Sequence, residues 1–239
     1  MHYITFEMVS VTASYRNPDF QNFHKSYPLP PPTTIIGMVG AGMGLKSSDA
    51  QQFFMDNDVF VSINGKSTGK ANDLWKYDDF KNKSVIIRDL LFCNHYQLVF
   101  VSESQEITQK IREAFEYPVF ALTTGASDSL VKICLPTMQE GITDLLEIDS
   151  FENCLVEDDV LTETFEDILK RSRNNFSFSI NQRQPIPLNL VTRFEYDSVS
   201  ETRKAIERKT FSFVSERVTI KQPKRGIRIG NQEFHLFKL

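Results

Sequence analysis

The chain opens on a short-period pattern: Ile4, Phe6 and Met8 alternate with polar neighbours, and Val9 and Val11 follow, which predicts a strand. The pattern stops at Ala13-Ser14-Tyr15-Arg16, and Asn17-Pro18 marks a turn. Tyr27-Pro28-Leu29-Pro30-Pro31-Pro32 excludes helix and central strand, because proline fixes φ and lacks the N–H donor. Beyond it the apolar residues Ile35, Ile36, Met38, Val39 and Met43 predict a helix capped by Thr33 or Thr34. Gly37, Gly40, Gly42 and Gly44 lie along that helix at about 1 kcal/mol each against alanine, which implies a close approach of its backbone to something. Further strands are predicted at 59–63, 96–101 and 119–122, with a helix over 104–115 carrying Ile107, Ile111, Ala114 and Phe115 at helical spacing.

This order, strand–helix–strand–strand–helix–strand, is that of a ferredoxin-like α+β fold. Residues 65–94 interrupt it as a polar, Lys-rich insertion of the kind expected to project as a hairpin. Residues 130–135 continue as strand, 158–169 read as a short helix, and 188–196, 210–214 and 217–220 read as strands with basic turns. The predicted division is a core over 1–135 with its insertion at about 65–94, then an acidic connector and a basic, β-rich region over 136–239.

Length and composition narrow the function classes. With 239 residues, 41% hydrophobic and 24% charged, the chain is long enough to bury a core, and wholesale disorder is excluded. Three cysteines without a Cys-x-x-Cys pair argue against a disulfide framework or a zinc ribbon. No apolar run is long enough to span a membrane and the first ten residues lack a basic n-region, so a cytoplasmic protein with no membrane contact is expected. The net charge of −4 hides an asymmetry: residues 170–239 hold 15 Lys+Arg against 6 Asp+Glu, whereas residues 1–169 hold 12 against 25. An acidic patch and a basic tail on one chain suit one face for a polyanion and another for a protein neighbour, or simply two solvated surfaces.

Several motifs fail. Gly40-Ala41-Gly42-Met43-Gly44-Leu45-Lys46-Ser47 places Leu45 where a phosphate-binding loop needs glycine, and it follows a proline run rather than a strand. The dinucleotide fingerprint lacks its third glycine at position 45, and His2, His24, His95 and His235 lack metal-ligand spacing, so neither a metal nor a cofactor is expected.

The stretch Tyr27-Pro28-Leu29-Pro30-Pro31-Pro32-Thr33-Thr34-Ile35-Ile36-Gly37, followed by Gly40, Gly42 and Gly44, closely resembles the N-terminal signature of the Cas-five family, the small RAMP-type subunit of type I CRISPR surveillance complexes. The preceding Ser14-Tyr15-Arg16, the insertion after the second strand, and Tyr117-Pro118-Val119 leading to Thr124-Gly125-Ala126-Ser127-Asp128-Ser129-Leu130 agree with it. Where the family has a Leu-Gly pair before this loop, the chain has Thr124-Gly125. The resemblance covers roughly the first 135 residues, and its Pro-Pro-Pro-Thr-Thr form looks most like the type I-B group. It implies an RRM-related core with a projecting thumb, which holds the 5′ handle of the CRISPR RNA (crRNA), caps the Cascade backbone filament, and docks the large subunit that reads target DNA near its flanking motif.

The residues themselves fit binding. Single-stranded RNA is held by phosphate contacts and by stacking on aromatic rings. A helix opening at Thr33-Thr34 presents backbone donors, and Gly37 admits a close approach. Tyr15, Arg16, Lys25 and Tyr27 flank it, and Lys66, Lys70, Trp75, Lys76 and Arg88 give the thumb its basic and aromatic character, diluted by Asp73, Asp78 and Asp79. The expected role is non-catalytic. The alternative is a metal-independent endoribonuclease that processes precursor crRNA, as the family contains in one subtype, with candidate groups in His24-Lys25 plus Tyr27 or in His95-Tyr96. His24-Lys25 stands in the reverse of the Lys-His order expected there.

Overall fold

The computed structural model describes residues 1–79, 82–164, 184–197 and 202–239; the side chains of 76–84 are not described. In chain order the elements are β1 (His2–Ala13), β2 (Phe23–His24), α1 (Pro32–Met43), α2 (Ser47–Asp56), β3 (Val59–Asp79), β4 (Asn82–Ser102), α3 (Gln105–Glu116) and β5 (Lys132–Ile142). There follow β6 (Leu146–Phe151), β7 (Cys154–Glu157), β8 (Ile186–Tyr196), β9 (Arg203–Val214), β10 (Val218–Ile229), β11 (Gln232–His235) and β12 (Phe237–Lys238).

The main sheet runs β5–β1–β4–β3–β7–β9–β8. Its first four members are the fourth, first, third and second strands of a ferredoxin-like unit, all antiparallel. Ile4, Phe6 and Met8 of β1 point to one face and pack with Ile35 and Val39 of α1 and Ile111 and Phe115 of α3. The Phe6 and Phe115 rings lie 4.5 Å apart and Phe100 is 5.8 Å from Phe115. On β4 the run Leu98-Val99-Phe100-Val101 is buried on both faces. Leu98 and Phe100 meet the helices, whereas Val99 and Val101 meet Ile227 and Phe234 of a second sheet, ordered β11–β10–β6, and Leu236, which follows β11. A strand covered on both sides reads as a continuous apolar run for this reason.

The polar stretch expected as an insertion is continuous with the core strands. β3 and β4 form one ribbon, paired from Val59↔Ser102 to Asp79↔Asn82. β1 accompanies β4 only as far as Ala13↔Leu91, after which β2 runs beside Ile87 and Arg88. The outer part of the ribbon projects, and Leu74 and Val85 there are 72% and 65% exposed.

Four expectations change. First, α1 starts at Pro32 with Pro31 as its N-cap and no side-chain cap, so neither Thr33 nor Thr34 caps it. Proline at the first helical position brings a suitable φ and has no N–H to satisfy. Second, 119–122 is not the fourth strand. The N–H groups of Val119 and Phe120 bond to the carbonyls of Gly42 and Ala41, filling the open C-terminal end of α1, and the place beside β1 goes to β5. Third, α2 was not expected; it buries Ala50 and Phe54. Fourth, the close approach expected of the α1 glycines is made at Gly40 and Gly42, to neighbouring helices, and not at Gly37. A Cβ on Gly40 would stand 2.5 Å from the Ala50 Cβ, and one on Gly42 would stand 2.2 Å from the Ala114 carbonyl oxygen.

The strands expected at 188–196, 210–214 and 217–220 fall within β8, β9 and β10 or at its edge. Residues 160–164 are helical, and 165–169 of that expected helix lie outside the described residues. β5 crosses residue 135, and β7, β9 and β8 extend the sheet of the N-terminal core. No helix among the described residues is long and apolar enough to cross a membrane.

Candidate nucleic-acid interface

Beyond β1 the chain doubles back on itself. Arg16 and Ser26 form a bridge, Tyr27 N–H donates to the Tyr15 carbonyl, and the Tyr15 N–H donates to Ser26 Oγ. The proline run then turns the chain into α1. Close by, Gly125 takes φ +91° where a Cβ would stand 2.1 Å from the Ser14 carbonyl oxygen, so the 125–128 loop lies hard against the end of β1. Between these segments, the ribbon and the β8–β9 hairpin is a cleft of about 680 Å³.

Seven of the residues singled out from sequence line this cleft: Tyr15, Arg16, Tyr27, Thr33, Thr34, Trp75 and Arg88. They play unequal parts. Arg16 is exposed and Trp75 is 39% exposed, so both present surface to a ligand. Tyr15 and Tyr27 are 1% and 6% exposed and belong to the core, where burial pushes both phenols above their ordinary pKa. At the start of α1 few donors are left over. Pro32 has none, and the N–H groups of Thr34 and Ile35 return to the Pro31 carbonyl.

Arg88 is the electrostatic centre. Its guanidinium forks onto both oxygens of Asp128, at 3.2 and 2.8 Å, meets Asp73 at 2.7 Å and lies 5.4 Å from the Trp75 ring centre. The Asp128 hydrogen bond, ahead of the others, raises the Arg88 pKa, and Arg88 in turn holds Asp128 below the usual carboxylate value. His24 is buried 5.6 Å from Trp75, ring centre to ring centre. Burial, and then the charges of Arg16 and Arg88, lower its pKa from 6.5.

The other sequence candidates lie elsewhere. Lys25 is exposed with Nζ 4.8 Å from the Phe20 ring centre. Gly37 is exposed outside the cleft lining, and a Cβ there would meet nothing within 4 Å. Lys66 is exposed opposite His95, which pairs with Glu7 at 3.3 Å away from the cleft. Lys70 is bound to the buried Asp89 at 2.7 Å. The backbone of Lys76 pairs with Val85, and its side chain lies outside the described residues. Sequence reasoning missed Asp128 as a partner of Arg88, and it missed Phe194, Arg203 and Arg208 of the β8–β9 hairpin, which also line the cleft. The basic character of that hairpin was visible; its position was not, because nothing local ties residues 194–208 to residue 16. Among the described residues no cluster of His, Cys, Asp and Glu has the arrangement of a metal site.

No protein-family model matches the chain, and no curated protein does. Solved structures do. A CRISPR protein from Archaeoglobus fulgidus is similar over 100% of both chains, with a TM-score of 0.55 at 10% identity. A chain of a CRISPR RNA-guided surveillance complex is similar with a TM-score of 0.54 at 13% identity, over 92% of this chain and 91% of that one. This is the fold of CRISPR-associated proteins. The α+β, ferredoxin-like architecture expected from the order of elements is therefore the one observed, and the CRISPR-associated fold extends past the part that carried the sequence resemblance.

Proposed function

We propose that the chain is an RNA-binding subunit of a CRISPR surveillance complex and that its cleft holds the 5′ handle of the crRNA. The observation that carries this reading is the cleft itself, in which Arg16, Arg88, Arg203 and Arg208 meet Trp75 and Phe194 from distant parts of the chain. Cations for phosphates beside aromatic faces for splayed bases are what an unpaired RNA segment requires. In this reading the subunit caps the backbone filament, docks the large subunit near the target's flanking motif, and is not an enzyme. The likeness to a chain of an RNA-guided surveillance complex supports it at the level of fold.

One observation favours the ribonuclease alternative: His24 lies in the cleft, with burial and two arginines favouring its neutral form, the form a general base needs. Lys25 is exposed beside Phe20 outside the cleft lining, and Tyr27, which lines the cleft with His24, is only 6% exposed. Binding is therefore the favoured reading. The test is to purify the assembled complex and quantify its crRNA. Arg16→Glu should reduce retained crRNA mainly at low salt, because it removes a phosphate contact and adds a repelling charge. Trp75→Ala should reduce it at every salt concentration. Site-specific cleavage of repeat-containing RNA in EDTA, lost on His24→Ala, would move the assignment to the enzyme.

A further inference from the structure

Phe194 lies where the β8–β9 ladder shifts register, between Arg193 and the next pair. Its peptide N–H donates to Gln51 Oε1 and its carbonyl accepts from Gln51 Nε2, both at 2.8 Å. The side-chain amide of α2 thus takes the place of a neighbouring strand and fixes where the Phe194 ring stands. Over that ring lies the Arg203 guanidinium, 4.6 Å from its centre, and Arg203 is itself exposed. Arg208 reaches the same cleft and is only loosely held, at 3.3 Å from the Asn189 carbonyl and 3.7 Å from Asp19.

We propose that the β8–β9 hairpin is the second jaw of the cleft and grips an unpaired stretch of RNA. The layered Phe194–Arg203 pair is the platform on which one base stacks, and Arg203 and Arg208 hold the phosphates beside it. The inference rests on the RNA-binding reading above and adds a region that the N-terminal motifs do not reach. A nucleobase suits this pair because its π face stacks on the outer side of the Arg203 guanidinium, which the Phe194 ring backs from below. An acidic protein segment would need the arginines and not the ring. The 3.7 Å Asp19 contact is long enough for a phosphate to replace it in a bidentate geometry that the carboxylate does not use.

The test uses the full chain and a fluorescein-labelled eight-nucleotide oligouridine RNA, with anisotropy read from low to moderate potassium chloride. Phe194→Leu keeps apolar bulk and should weaken binding about tenfold with an unchanged salt dependence. Arg203→Gln and Arg208→Gln should each weaken binding at low salt and lower the slope of log affinity against log salt by about 0.7, one phosphate's worth on a single strand. Arg16→Gln serves as the arm for the N-terminal wall. If Arg16→Gln loses affinity while all three hairpin variants bind like the parent, the second jaw is wrong and the RNA-binding reading stands. If all four bind like the parent, that reading falls as well. Melting temperatures of the variants within a few degrees of the parent separate lost contacts from lost structure.

Discussion

Arg88, on the ribbon that borders the cleft, and His235, between the two sheets, are 6% and 3% exposed, and each is a group that water would charge. They meet burial in opposite ways. Arginine cannot shed its proton at any ordinary pH, so Arg88 keeps its charge and gathers two carboxylates around it. Histidine can, and His235 does: the Glu157 N–H donates to Nε2 at 3.1 Å, Nδ1 donates to the Arg225 carbonyl at 3.1 Å, and burial pushes the pKa down to about 4. Both partners of His235 are backbone, fixed by the sheets. Both partners of Arg88 are side chains with one end in water, at 39% exposure for Asp73 and 54% for Asp128. The sheet junction is a finished piece of core, whereas the cleft holds a charge whose partners can be exchanged.

The largest effect that would test this contrast is on the His235 side. An unfolded histidine titrates near 6.5 and the native one near 4, so between these values the unfolded chain binds the extra proton and folding weakens as pH falls. About 3 kcal/mol is at stake across that window at 1.36 kcal/mol per unit. Urea unfolding at pH steps from 7.5 to 4.5 should show the loss, and His235→Gln, which retains a donor and an acceptor, should flatten the curve. His24, also lowered, adds a smaller slope of the same sign. A stability that stays level from pH 7 to pH 5 would mean that His235 is not held neutral.

Arg88→Met should cost less, roughly 1–2 kcal/mol, because Asp73 and Asp128 can turn to water once the guanidinium is gone. A loss above about 4 kcal/mol would show instead that the carboxylates are trapped, as in a buried pair. The same urea series, run at pH 7, decides between the two.

Much of the fold on both sides of this contrast was legible because the periods were clear. Ile4, Phe6 and Met8 alternate, and α3 places Ile107, Ile111, Ala114 and Phe115 on one face. Val119–Phe120 misled for a physical reason: a short apolar run fits a strand or a rim, and here the spare carbonyls of α1 claimed its N–H groups. α2 was missed although Ala50, Phe53 and Phe54 stand at helical spacing, because a ten-residue segment is short for that period to show. Of the cleft, Tyr27, Thr33 and Thr34 could be found from one motif, and Tyr15 and Arg16 from the strand end that precedes it. The pairing of Arg88 with Asp128, 40 residues on, could not, since only the ladder and the Gly125 turn bring them together. Lys70 looked like an RNA contact for the same reason, and its buried partner Asp89 is visible only in three dimensions.

The smallest effect on stability carries the sharpest statement about function. Asp128 places its two carboxylate oxygens on the two terminal nitrogens of Arg88, the geometry in which a guanidinium also takes a phosphate. An RNA phosphate that reaches Arg88 must therefore displace Asp128, and the 54% exposed carboxylate competes with it as an anion already in place. Asp128→Asn keeps the shape and one acceptor oxygen but removes the charge, so stability should fall by only about 1 kcal/mol, because Asp73 still compensates the buried guanidinium and the lost carboxylate stood half in water. Binding should improve. Removal of a competing charge worth about 1 kcal/mol tightens the oligouridine complex about fivefold in low salt, and the gain should shrink as salt screens both anions. The double variant Arg88→Met with Asp128→Asn should lose the gain, because the carboxylate has nothing left to withhold. If Asp128→Asn binds RNA no better than the parent while Arg88→Met still weakens binding, Asp128 orients the guanidinium for its ligand rather than occupying the ligand's place.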